Sequence, residues 1–304
     1  MVGTATFTGT GTTATSSLTT PITLVKDSDT LLTIKADIAG ISMSAAGGIG
    51  DIVKIDPLNA QGSGVSSGKT VNSSATAGVA GIAMFKSYPT FASTAVSCTN
   101  STSCNGGGQV LKKFSITANA AGAIGLYQIA TSIATSSASV RNIKLMAYTD
   151  SNYSTPANVV GTGSGTYGQF GNIGLLANGV DVASPTVSFI QTTPLQVSAG
   201  TTLYFSVLGD VTPTATIWTI NTTVLGDTAS TTVWSLVAGY NVNIATVLTT
   251  RTQSIAGVST STPAGSAGLF SNFIWSDNAT TTSTGAMIDW ANGYAVPGLP
   301  SNGL

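Results

Sequence analysis

Residues 20–38 and 193–211 carry one pattern twice, at a constant offset of 173 residues. Identities are few: Thr20 with Thr193, Pro21 with Pro194, Asp37 with Asp210. The match lies in the alternation. Ile22 and Leu24 stand opposite Leu195 and Val197, and a polar turn follows in both copies. Then Leu32, Ile34, Ala36 and Ile38 stand opposite Phe205, Val207, Gly209 and Val211. Apolar residues at every second position have the period of a half-buried strand, because successive side chains leave a strand on opposite faces. Each copy therefore reads as a short strand, a polar turn and a longer strand.

The same texture runs along the chain. Strands are expected at Ile52–Ile55, Val79–Lys86, Val110–Ala118, Ile124–Ile133, Ile143–Tyr148, Val180–Ile190, Ala215–Val224, Val233–Val237, Val242–Leu248 and Leu269–Trp275. Breaker clusters at short intervals and the lack of a helical period predict an all-β fold. The expected architecture is two immunoglobulin-like β-sandwich modules, the first truncated. Residues 1–18 form an extended amino-terminal arm, 19–97 the first, incomplete module, and 98–108 a disulfide loop and linker ending in Gly106-Gly-Gly108. Residues 109–277 form the second module and 278–304 a carboxy-terminal tail. The second module has strand-forming sequence from 109 to 192 ahead of the repeated stretch; the first has only residues 1–19. A half-sandwich leaves an apolar face and a sheet edge unpaired. The first module is thus completed from a longer chain, by the second module, or by a strand from another subunit. The arm suits donation: Val2, Ala5 and Phe7 are candidate subunit contacts, with Phe7 filling a pocket. Trp290 and Tyr294 are the corresponding candidates in the tail, which is too apolar for a solvated end and is expected to dock on folded protein.

Only 7% of residues are charged, with no Glu and no His, and the net charge is −1. Nucleic acid and anionic lipid are therefore not electrostatic partners. A surface made soluble by Thr, Ser, Asn and Gly repels itself weakly, which suits a protein packed against its own copies; a glycan-coated secreted monomer is the other option. No apolar run is long enough for a membrane-spanning helix, and Met1-Val-Gly-Thr-Ala does not open a signal peptide, so an exported form would be mature or trimmed. Cys98 and Cys104 are the two cysteines. Their spacing fits neither a redox Cys-x-x-Cys pair nor a zinc site, leaving a local disulfide in an oxidising compartment or two free thiols. Asn72, Asn100, Asn152, Asn221 and Asn278 begin Asn-x-Ser/Thr sequons, weak candidates for glycosylation in so Thr-rich a chain.

Resemblances to catalytic motifs do not hold together. Ser67-Gly-Lys-Thr70 looks like the end of a phosphate loop, but the glycine that should open the loop is Ser63. Gly64-Val-Ser-Ser-Gly68 matches a nucleophile elbow without any His to serve as base. Ser66-Ser-Gly-Lys69 and Ser276-Asp-Asn278 echo an acyl-transferase set that lacks its Lys-Thr-Gly. The acidic residues, all Asp, are scattered singly except Asp27 and Asp29, a turn pair or a weak Ca²⁺ site. Gly161–Gly165 reads as a flexible loop. Trp218, Trp234 and Trp275 lie in expected strands and read as core rather than as a sugar platform. The chain reads as a non-enzyme with no cofactor and no metal site.

Lys-Ala-Asp-Ile at 35–38 and Leu-Gly-Asp-Val at 208–211 close strands in a way that resembles tandem β-sandwich surface proteins of ultrasmall, reduced-genome bacteria. Asn272-Phe-Ile-Trp-Ser-Asp-Asn278, Asp289-Trp-Ala-Asn-Gly-Tyr294 and Val296-Pro-Gly-Leu-Pro300 resemble the carboxy-terminal signature of that family. The resemblance implies secretion and a cell-surface role and carries over no catalytic residue. The expected function is a structural subunit that assembles with copies of itself into an extracellular filament or surface layer by strand donation. The alternative is a monomeric adhesin or carbohydrate-binding module facing a host-cell or glycan surface.

Overall fold

The computed structural model describes residues 1–7, 14–37, 52–53, 58–73, 82–96, 98, 104–159, 168–173, 186–227, 272–279 and 291–300. The chain divides into two compact units, Met1–Ile38 and Ala39–Leu304. The protein is all-β, with no α-helix among the described residues.

In the second unit, ten strands make two antiparallel sheets. The four-stranded sheet has the order β5 (Pro89–Thr94), β6 (Gly106–Ala118), β11 (Thr202–Pro213), β8 (Ala138–Tyr148). The six-stranded sheet is centred on β7 (Ile124–Ser136). One edge of β7 pairs with β10 (Thr186–Val197), which pairs in turn with β9 (Asn172–Ile173). The other edge is shared end to end: β12 (Thr219–Val224) covers Thr131–Ser136 and β13 (Phe273–Ser276) covers Gly125–Ile129. β14 (Ala291–Asn292) flanks β13. Two small two-stranded sheets, β1 (Ile52–Val53) with β4 (Ile82–Ala83) and the hairpin of β2 (Gln61–Ser63) with β3 (Thr70–Asn72), are separate from these.

Residues directly opposite on neighbouring strands share a face, so burial and register locate the core between the sheets. From the four-stranded sheet come Phe91, Phe114, Ile116, Phe205, Val207, Val140 and Leu145; from the six-stranded sheet Leu126, Ile129, Val187, Phe189, Val224, Phe273 and Trp275. An aromatic row crosses this layer. Phe273 meets Phe91 edge-on at 5.0 Å, Phe91 stacks on Phe114 at 6.0 Å, Phe114 on Phe205 at 5.2 Å, and Phe170 meets Phe205 edge-on at 5.9 Å. Trp218 and Trp275 are buried, the core reading; Trp234 lies outside the described residues.

The repeat predicts strand, turn and strand in both copies, and the structure separates these three parts. In the second copy the turn switches sheets, from β10 to β11. Thr201 N donates to Ser198 O at 3.0 Å, and Gly200 has φ +66°. In the first copy Ser28 N donates to Val25 O at 3.3 Å, and Asp27, opposite Gly200, has φ +59°. The turn is the same, but none of the described residues 14–37 is in a strand. A strand needs a partner for its backbone groups, and these residues have no ladder partner among the described residues.

Gly106-Gly-Gly108, expected as linker, instead opens β6. Gly106 (φ +114°) and Gly108 (φ +64°) supply the backbone shapes required where the β6–β11 register slips between Gly209 and Val211. β5, expected in the first module, is hydrogen-bonded to β6, so the Cys98–Cys104 loop does not separate two sheets. Smaller differences follow the same physics. Of the expected strand at 79–86, residues 79–81 lie outside the described residues and Ile82–Ala83 is strand, after which Phe85 packs on Trp275 at 5.2 Å. The polar excursion at 56–78 contains the β2–β3 hairpin. Val233–Val237 and Val242–Leu248 lie outside the described residues.

Candidate contact surfaces

Most of the expected site residues lie among the described ones. Cys98 and Cys104 are bonded to each other with Cα atoms 5.4 Å apart, and both are buried. Cys98 O accepts from Ile220 N at 3.3 Å, so the clip holds the chain against the start of β12. Replacing both cysteines by serine is expected to cost about 2–3 kcal/mol, the loop-closure entropy of a short loop. Urea unfolding measures the loss, and intact mass after alkylation without reductant should show no reactive thiol in the parent.

Among the sequons, Asn72 on β3, Asn152 and Asn221 on β12 are exposed. Asn278 is half-buried with φ +51°, and its Nδ2 donates to Gln196 Oε1 at 2.7 Å, so a glycan there would break a bond between β13 and β10. Asn100 and Trp290 lie outside the described residues. The phosphate-loop resemblance sits in the β2–β3 hairpin, where Gly68 N donates to Gly64 O and Gly64 N to Lys69 O. These amides are spent on the turn.

The tail docks on its own chain. Val296 and Leu299 enter the core, Pro297 O accepts from Phe91 N at 2.9 Å, and β14 pairs with β13. Its anchor is Asp227, a buried carboxylate just after β12. Oδ1 accepts from Asn272 N at 2.6 Å; Oδ2 accepts from Phe273 N at 3.1 Å and Gly293 N at 2.7 Å. One side chain thus ties the end of β12 to the start of β13 and to β14. Tyr294 is half-buried and bridges to Asp227 through its backbone. Together with Val296, Leu299 and Pro300 these two residues line an open cleft of about 450 Å³.

A second feature was not read from the sequence. Tyr148 on β8 and Tyr204 on β11 are cross-strand partners and point away from the core, and Tyr153 folds back over both. Its ring lies 5.6 Å from Tyr148 and 5.9 Å from Tyr204, both edge-on, and Lys113 Nζ sits 4.3 Å from its centroid. Tyr153 has φ +59°, unusual for a bulky residue. Asp150 holds it there, accepting from the N–H of Asn152, Ser154 and Thr155 and from the Ser154 hydroxyl. Those bonds, that from Thr155 foremost, hold the Asp150 carboxyl down at about 2. A depressed folded-state pKa contributes stability that is complete above the unfolded value near 4 and is lost as pH falls through about 2. The loop is therefore expected to stay closed at pH 4 and to open between about pH 3 and 2. Ring-proton shifts of Tyr153 during an acid titration report this, and unchanged shifts down to pH 2 would contradict it.

Among the described residues, 1–7 and 14–37 hold most of the exposed large apolar side chains. Phe7 is 62% exposed, Leu24 69%, Leu31 92%, Leu32 55% and Ile34 52%. Ala5 is also exposed, whereas Val2 is half-buried and its carbonyl accepts from Thr19 N at 2.8 Å and Thr19 Oγ1 at 3.1 Å. Asp27 and Asp29 are exposed in the turn. Among the described residues, no group of three or more acidic, His or Cys side chains could hold a metal ion, and no helix is long and apolar enough to cross a membrane. No protein-family model, no curated protein and no solved structure matches the chain. The geometry alone defines its class: an all-β, sandwich-type protein with a short-range disulfide and an amino-terminal unit whose strand-forming sequence carries no strand among the described residues.

Proposed function

We propose that the chain is a structural subunit that assembles with copies of itself into an extracellular filament or surface layer, its amino-terminal unit supplying strand to a neighbour. One observation carries the reading. Residues 20–37 carry the alternation of strands, yet expose Leu24, Leu31, Leu32 and Ile34 and have no ladder partner among the described residues. Water-exposed apolar surface of this kind gains about 25 cal/mol per Å² when covered. An extended segment adds to a foreign sheet edge through its main chain, and head-to-tail addition that does not close generates a fibre. The low charge density fits a surface that meets its own copies. The local disulfide fits an oxidising, extracellular setting.

Electron microscopy of purified full-length protein at rising concentration is the test: ordered polymers are expected, and dispersed particles at all concentrations would remove the reading. Phe7→Asp is expected to weaken assembly if the arm's aromatic fills a partner's pocket. The second reading, a carbohydrate-binding surface protein, draws on the Tyr148–Tyr153–Tyr204 cluster, since half-buried tyrosines on an outer face offer ring surface and hydroxyls to a sugar ring. It calls for glycan binding by the parent that Tyr153→Ala abolishes.

A further inference from the structure

The tyrosine cluster has a setting that its rings alone do not show. Register puts the outward residues of the four-stranded sheet in rows that cross the strands. One row is Tyr148 on β8, Tyr204 on β11, Ser115 on β6 and Ala92 on β5. The next is Ser206, Lys113 and Thr94 on the last three of these strands. Tyr153 overlies the Tyr148–Tyr204 end. Ser115, Ala92 and Thr94 are short, and the latter two are exposed. The outer face is thus a low, open shelf backed by a wall of rings.

Charge gathers at the same place. The chain has ten Lys and Arg residues, and four of them, Lys112, Lys113, Arg141 and Lys144, lie on β6 and β8. The neighbouring carboxylates are occupied. Asp150 is held by the amides of its own turn, and Asp210 accepts from Gly108 N at 2.7 Å and Asn142 Nδ2 at 2.6 Å. Lys113 forms no ion pair among the described residues; its Nζ rests 4.3 Å from the centre of the Tyr153 ring. A cation is thereby fixed at the aromatic wall with no carboxylate set against it.

We propose that this shelf binds an acidic polysaccharide, a chain of pyranose rings bearing carboxylates, with one ring against Tyr153 and its carboxylate on Lys113; this rests on the carbohydrate reading given second above. The parts of the ligand follow from the parts of the site. A pyranose offers apolar C–H surface to an aromatic ring, and hydroxyls to those of tyrosine and serine. Its carboxylate meets the Lys113 ammonium in a charge-assisted bond. A simple anion leaves the tyrosines unused, and a neutral sugar leaves Lys113 unused. Because the shelf is open, the chain continues over Ser115 and Ala92. The Asp150 turn already holds Tyr153 at φ +59°, so little of the ordering cost falls on binding. Single-stranded nucleic acid also combines rings with charge, but its bases need open ring faces. Here all three tyrosines are half-buried, Tyr153 packs edge-on against the other two, and Lys113 lies across its ring.

The experiment titrates full-length protein calorimetrically with a hexamer of galacturonic acid and with the same hexamer fully methyl-esterified. The parent is expected to bind the acid about tenfold tighter than the ester, the value of one charge-assisted bond. Lys113→Met keeps an apolar stem on the Tyr153 ring and removes the charge. It should weaken acid binding about tenfold and leave ester binding unchanged. Ala92→Asp sets a like charge on the exposed shelf and should weaken the acid alone, about threefold. Circular dichroism should be unchanged in both variants. Equal binding of acid and ester, both lost in Tyr153→Ala, overturns the acidic assignment and leaves the carbohydrate reading standing. Acid binding that survives Lys113→Met and Tyr153→Ala, or that an oligothymidylate of equal charge matches, overturns the proposal as general charge attraction. An unaffected Ala92→Asp overturns the course over the shelf. A parent that binds neither hexamer overturns the proposal, and one that also binds no neutral glycan overturns the carbohydrate reading with it.

Discussion

Asp227→Ala is expected to destabilise the second unit by about 3–5 kcal/mol, among the largest losses available to a single substitution. The carboxylate is buried and accepts from three backbone amides, those of Asn272, Phe273 and Gly293. Removing it strands those donors away from water, and each unsatisfied buried donor costs about 1–3 kcal/mol. The full sum is not reached, because water can enter from the neighbouring cleft. Asp227→Asn keeps one acceptor oxygen but turns a donor toward the amides, so a loss of about 2–3 kcal/mol is expected. Urea unfolding measures both. The effect should also be local: residues 291–300 lose their anchor, so limited proteolysis should cut near Gly293 before the sandwich unfolds. A change under about 1 kcal/mol for the alanine variant would show that the amides find other partners and that Asp227 is not the tie.

Much of the sandwich is written in period two. β6 and β10–β11 follow the alternation, and even the first copy's turn is readable from its polar residues after Leu24. Three things are not readable, each for a physical reason. Whether an alternating segment becomes a strand depends on finding a partner, and residues 20–37 have the pattern without one among the described residues. Glycines signal breaks in isolation, yet Gly106 and Gly108 serve a bulge that only the register with β11 defines. The sharing of one edge of β7 by β12 and β13, and the carboxylate that seals their junction, join residues 45 and 66 positions apart. No local period encodes such a contact. The tyrosine cluster was missed for a related reason. Tyr148 and Tyr204 sit on the outer parity of their strands, which the sequence does show, but what brings Tyr153 onto them is the turn built around Asp150. Asp150 followed by Ser-Asn-Tyr-Ser-Thr is the one available hint.

Phe205→Ala is expected to cost about 3–5 kcal/mol, by a different route. Phe205 is fully buried in the middle of β11, the strand paired on both sides. Its ring stacks on Phe114 at 5.2 Å and receives Phe170 edge-on at 5.9 Å. Truncation removes the transfer free energy of the ring and leaves a cavity that strands on both edges cannot close. It also breaks two aromatic pairs worth about 0.5–1.5 kcal/mol each. Phe205→Leu, which refills most of the volume, should cost only about 1–1.5 kcal/mol. The equivalent position in the first copy makes the comparison decisive. Leu32 stands opposite Phe205 in the repeat but is 55% exposed, so Leu32→Ala should leave the stability of the isolated chain within about 0.5 kcal/mol of the parent. If Leu32→Ala instead unfolds the chain as Phe205→Ala does, the first copy is already buried in solution, and the picture of an unpartnered first copy fails.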